Sequence, residues 1–184
     1  MMASAPAHED ALGTYPGSMK EHIMELKTVR LTIPEEANII VGQSHFIKTV
    51  EDLYEIMVTT VPGVKFGLAF NEASGPCLIR SDGNDESLIS AAIENCRAMQ
   101  AGHVFNLLML GAYPINVLDR IKQCQEVCCI FCATANPLEV VVAVTEQGAG
   151  VLGVIDGNSP VGVESAQDKE DRARLLTDII GYKR

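Results

Sequence analysis

Tryptophan is absent from the sequence, and so is any surplus of positive charge. Fourteen Lys and Arg stand against 24 Asp and Glu, a formal net charge of −10. A nucleic-acid surface needs a basic face that displaces counterions. The balance therefore argues against nucleic acid, and against anionic membranes, as partners. A nucleotide substrate is still compatible with it, since a few local cations or a metal ion neutralise one triphosphate. No run of about 18 apolar residues is present, as a membrane-spanning helix would need. The opening MMASAPAHEDALGTYPGSMKEH holds no apolar core of a secretory signal. Six cysteines without such a signal read as free thiols in a reducing cytoplasm. Two nucleotide signatures are missing as well. There is no Gly-Lys-Ser or Gly-Lys-Thr, and no G-x-G-x-x-G follows a strand and opens a helix. A nucleotide would have to be held without the usual glycine loops.

What remains is ordinary globular composition: 184 residues, 47% hydrophobic and 21% charged. That length suits one domain and buries enough surface to need no disulfide or metal staple. Residues 1–23, rich in Ala, Gly, Pro, Ser and charge, read as a flexible tail, and 24–184 as the folded domain.

Alternation over 25–33 predicts a half-buried strand, and Asn38 to Val41 a more fully buried one. Val50, Leu53, Tyr54, Met57, Val58 and Val61 share one helical face. Thr49 and Asp52 resemble a capping box at its start, and Pro62-Gly63 stops it. Strands follow at 65–70 and 77–80. Leu88, Ile89, Ala92, Ile93, Cys96 and Met99 mark a second helix, capped by Asn84 or Asp85. A buried strand spans 103–110, and Pro114 opens a third helix to about Gln123. Strands at 127–133, 140–144 and 151–155 precede a last helix. It carries Asp168, Glu170 and Asp171 at its start and Lys183-Arg184 at its end. Helices and strands mix without strict alternation, and neighbouring strands lie close in sequence. The class is α+β: a single domain of mixed, largely antiparallel sheet with packed helices.

Four segments could carry chemistry. In 42–49, Gln43, Ser44, His45, Lys48 and Thr49 lie between a buried strand and a helix start. Free helix amides attract phosphate, Lys48 adds a charge, and His45 offers a nucleophile or base. The bland reading is a loop His bonded to backbone and a solvated Lys. Segments 70–77 and 80–85 supply Ser74 and Gly75 amides, Arg80 for phosphate, Asn84, and the carboxylates Glu72 and Asp85 for Mg²⁺. Alternatively they are two turns. His103 opens a buried strand, where a histidine is capable of acid–base work or is merely structural. Asn136, before Pro137, marks a turn and could present its amide to a base. Cys124, Cys128, Cys129 and Cys132 look like a metal cluster, but a strand would hold Cys128 and Cys132 about 13 Å apart. Buried core thiols are the expectation.

The strings GQSHFIKTVEDLYE, AFNEASGPCLIRSDGNDE, AGHVF, PINVLDRIKQCQEVCCIFCATANPLEVVVA and GVLGVIDGNSPVGVES together resemble the adenosine-specific kinase family, an ancient archaeal and bacterial domain. The similarity runs from about Glu25 to the C-terminus. It implies an α+β homotrimer that binds adenosine and its phosphates, uses ATP or another nucleoside triphosphate with Mg²⁺, and is stably phosphorylated on histidine. His45 and His103 are the histidines inside matching strings. His45 is preferred, because a phosphate there would face Lys48 and free helix amides; His103 is the alternative. A non-enzymatic adenosine- or AMP-binding module, or a scaffolding trimer, are the competing functions.

Overall fold

A computed structural model describes residues 23–181. The expected tail and the Lys183-Arg184 helix end fall outside them. Five strands form the central sheet: β2 (Asn38–Ser44), β3 (Lys65–Asn71), β4 (Ile79–Gly83), β5 (Val104–Leu110) and β6 (Val127–Thr134), in the order β4-β3-β5-β2-β6. A second sheet has the order β1-β7-β8, from Glu25–Arg30, Leu138–Val144 and Ala149–Asp156. Every ladder is antiparallel. The helices are α1 (Thr49–Thr60), α2 (Glu86–Met99), α3 (Pro114–Lys122) and α4 (Ala166–Arg174), the last running into a π-helical turn at Leu175–Ile179. The α+β class holds. Among the described residues no helix is long and apolar enough to cross a membrane.

Side chains alternate across the central sheet, so it carries a core on each face. On one face Ile40, Phe66, Leu68, Phe105 and Leu107 meet Val50, Leu53 and Met57 of α1, and Val117 and Ile121 of α3. On the other, Ile39, Val41, Ala69 and Leu108 meet Leu88, Ala92, Cys96 and Met99 of α2, with Leu138, Val140 and Val142 of the second sheet. Gly67 explains how closely α2 approaches: a Cβ there would lie 2.2 Å from the Ile89 nitrogen. Buried amides stitch this layer. Asn106 donates to the Ala92 carbonyl, while Asn95 bonds both the N–H and the C=O of Thr32.

Several local expectations change. β1 is mostly exposed rather than half-buried, because it is an edge strand and only Val29 packs on the core. Gly42, Gln43 and Ser44 continue β2 instead of forming a loop. Val58 faces solvent. No capping box forms on α1: Lys48 holds the N-cap position, and the Thr49 hydroxyl donates to the Phe46 carbonyl at 2.6 Å. β4 begins at Ile79, and Asp82-Gly83 belongs to it rather than to a turn. Asp85, not Asn84, caps α2, accepting from the Ser87 and Leu88 amides.

Candidate functional site

The end of β2 and the start of α1 bring one set of polar residues together. The His45 amide donates to the Glu126 carbonyl at 3.0 Å, and its ring Nε2 lies 3.3 Å from the Gln125 carbonyl. Lys48 is engaged one turn along its own helix, 3.3 Å from Asp52. Gln43 is exposed in the strand, and Ser44 is buried with no hydrogen-bond partner for its hydroxyl among the described residues. Around His45 and Lys48 the charge is negative. Asp52, Cys124 and Glu126 hold their donor atoms within 4.8 Å of one another, beside a cavity of about 380 Å³. Burial and the neighbouring Glu126 carboxylate raise the Asp52 carboxyl above its ordinary range. Glu126 stays below it, because the Cys124 thiol donates to its carboxylate at 3.0 Å. Burial, then Glu126, push that thiol up to about 11, so it is protonated at neutral pH. His45 is thus bonded to backbone, and carboxylates stand beside Lys48, with Arg120 lining the same cavity.

A second set forms where β3, β4 and β5 end together. Phe70 pairs with Phe105 on one side and with Arg80 on the other. Glu72, just past the strand, therefore comes alongside Arg80 and His103. Glu72 is buried. Its Oε1 accepts from the Ala73 amide (3.0 Å), the Ser74 amide (3.3 Å) and the Ser74 hydroxyl (2.9 Å). The same oxygen lies 3.5 Å from His103 Nε2, and Oε2 lies 3.3 Å from Arg80 Nε. The Ser74 hydroxyl is the main cause holding the Glu72 carboxyl below the usual range, with backbone amides and Arg80 adding to it against the cost of burial. A carboxylate hydrogen-bonded this way stays ionised.

His103 is held from several sides. Its backbone is left-handed, with φ 59°. Its N–H donates to the Asn71 carbonyl at 2.7 Å, and its C=O accepts from the Ser44 amide at 2.9 Å. The ring stacks on Phe70 with centroids 5.7 Å apart and planes 14° from parallel. Close by is a cavity of about 740 Å³, lined by Glu72, Cys77, Arg97, Gln100, Gly102 and the β7–β8 hairpin. Gly75 turns the adjoining loop with φ 58°.

The structure thus unites Glu72, Ser74, Arg80 and His103 and keeps other candidates apart. Asn84 spends its amide on the Val64 carbonyl and the Phe66 N–H, bracing β3. Asp85 serves as a helix cap with Lys65 at 3.6 Å. Asn136 donates to Asp156. Glu72 and Asp85, the carboxylates offered for Mg²⁺, have separate partners: Glu72 meets Ser74, Arg80 and His103, and Asp85 meets Ser87, Leu88 and Lys65. The three-donor group offers one sulfur beside two carboxylates, whereas Mg²⁺ favours oxygen ligands throughout. The cysteines need correcting too. Only Cys96 is buried, Cys124 and Cys132 are partly so, and Cys128 and Cys129 are exposed on edge strand β6. Arg97, the cation lining the larger cavity, was missed because in sequence it is simply a polar residue on the outer face of α2.

A family model described as "Adenosine specific kinase" matches residues 29–183. Comparison with curated proteins yields no match. Among solved structures, the crystal structure of the PH1918 protein from Pyrococcus horikoshii OT3 is 43% identical. It superposes with a TM-score of 0.83, over 88% of this chain and 99% of that one.

Proposed function

The chain belongs to the adenosine-specific kinase family, and from that premise we propose that it transfers a phosphoryl group from a nucleoside triphosphate to adenosine by way of His103. The observation that carries this reading is the 3.5 Å approach of His103 to the ionised, buried Glu72, which itself lines a cavity of about 740 Å³. A neutral imidazole is the right kind of nucleophile near pH 7. A ring nitrogen attacks the γ-phosphorus, and the bond to the bridging oxygen breaks. The nucleoside diphosphate leaves with that electron pair. An adenosine hydroxyl then attacks the phosphorus and the N–P bond breaks. Its electrons return to the ring, and the hydroxyl proton goes to solvent. Phosphoryl transfer asks mainly for positioning and charge neutralisation. Arg80 and Arg97 are the cations suited to that, while the acidic cluster near His45 is not. Mg²⁺ in this reading is part of the triphosphate substrate. Self-association into the homotrimer is part of the same reading. Its support is the apolar outer side of the second sheet, where Leu26, Leu152 and Ile155 are exposed.

The test uses γ-labelled ATP with adenosine and the purified full chain. Labelled AMP and an acid-labile label on the protein are expected, both lost in His103→Ala and kept in His45→Ala. Loss in His45→Ala alone would move the site to the other loop. Tight AMP binding with no label anywhere would select a non-enzymatic binding module.

A further inference from the structure

The geometry points to Glu72 as the positioning residue of His103, fixing the ring proton on Nε2 and leaving Nδ1 as the basic nitrogen that meets the incoming phosphorus. A neutral imidazole has one donor and one acceptor nitrogen, and a fixed partner on one decides the role of the other. The partner here is a carboxylate, which can only accept. It lies 3.5 Å from Nε2, an approach that shortens into a hydrogen bond once ring and carboxylate align, as catalytic contacts commonly do when substrate binds. Three donors from Ala73 and Ser74 pin Oε1, and Arg80 approaches Oε2. Glu72 therefore cannot easily turn away. Nor can the ring: Phe70 covers one face, and the backbone is tied to Asn71 and Ser44. Among the described residues Nδ1 has no hydrogen-bond partner.

The consequence for the reaction is electrostatic. When the Nδ1 lone pair forms the N–P bond and the bridging oxygen leaves with its electrons, Nε2 keeps its proton and the ring becomes cationic. Glu72 is the anion in contact with that charge. When the acceptor oxygen takes the phosphorus, the N–P electrons return to Nδ1 and the ring is neutral again. Glu72 touches neither phosphorus nor acceptor, so its effect passes through His103.

This inference rests on His103 being the reacting group, but its test does not. Two-bond proton–nitrogen spectra of the full chain labelled with ¹⁵N-histidine report the tautomer without any substrate. His103→Gln assigns the signal among the four histidines. Wild type is expected to show the Nε2–H form. Glu72→Gln, whose side-chain oxygen still accepts, should keep it, and Glu72→Ala should give a mixture. In the labelling assay Glu72→Ala should lower kcat on the order of a hundredfold with KM little changed, and Glu72→Gln should recover part of the loss. A wild-type ring protonated on Nδ1, or an unaltered tautomer in a folded Glu72→Ala, would overturn the assignment. If Glu72→Ala does not fold, the wild-type and Glu72→Gln spectra still decide it. Complete absence of label with the Nε2–H form present would reject the kinase reading alone.

Discussion

Ser74 lies two residues past Glu72 and gives its carboxylate both a backbone N–H and a hydroxyl. Because the folded-state value of Glu72 lies below its ordinary 4.5, ionised Glu72 favours the folded state. That contribution is fully present above the ordinary value and is lost as pH falls through the folded one. Ser74→Ala should bring the folded value back up. We expect a Tm lower by about 2–4 °C at neutral pH, the shift that a net loss of about 1 kcal/mol produces in a chain of this length. The gap should close as pH falls below the Glu72 range; melting curves between pH 7 and 3 check it. At this scale the sequence named both Glu72 and His103 but could not show that they touch. They are 31 residues apart, joined only by the register of β3 against β5. On sequence His45 is preferred because a phosphate there would face Lys48 and free helix amides. Asp52, four residues on, was a visible rival for that lysine; Glu126, far along the chain, was not.

Elements were more legible than sites. Helical faces and apolar runs gave α1, α2 and α3 nearly to their ends, because burial follows the 3.6 period. Strand ends were harder, because a ladder continues wherever a partner strand supplies hydrogen bonds, whatever the local residues prefer. Ser44 is such a case: its N–H is satisfied by His103 across the sheet. Asp85 shows a site candidate resolved into an element's needs. As the α2 cap it satisfies two amides that have no partner within the helix. Asp85→Ala should cost about 1 kcal/mol of stability, seen as a lower denaturant midpoint at unchanged m. AMP formation by the variant should match wild type. A hundredfold loss of turnover at unchanged KM would instead return Asp85 to the site.

Among the described residues, apolar surface is left uncovered in several places. The outer side of the β1-β7-β8 sheet exposes Leu26, Leu152 and Ile155, while Val161 and Val163 are fully exposed and α4 buries no residue. Patches of this kind mark contact surfaces. Light scattering should accordingly give a mass above the 19.8 kDa of one chain, and Leu152→Asp should reduce it. A monomeric wild type would remove the homotrimer from the proposed function. Which surfaces stay uncovered was not readable beforehand. Alternation in β1 marks one of its sides as apolar but cannot say whether a neighbour covers it.

Among the described residues strand β1 pairs only with β7, about 110 residues later. On the ribosome its backbone N–H and C=O groups therefore have no sheet partner until most of the chain has emerged. At roughly 5–20 residues per second, that delay is on the order of ten seconds. The nascent chain must complete the second sheet late, and a factor that shields exposed segments would find Leu26 uncovered throughout.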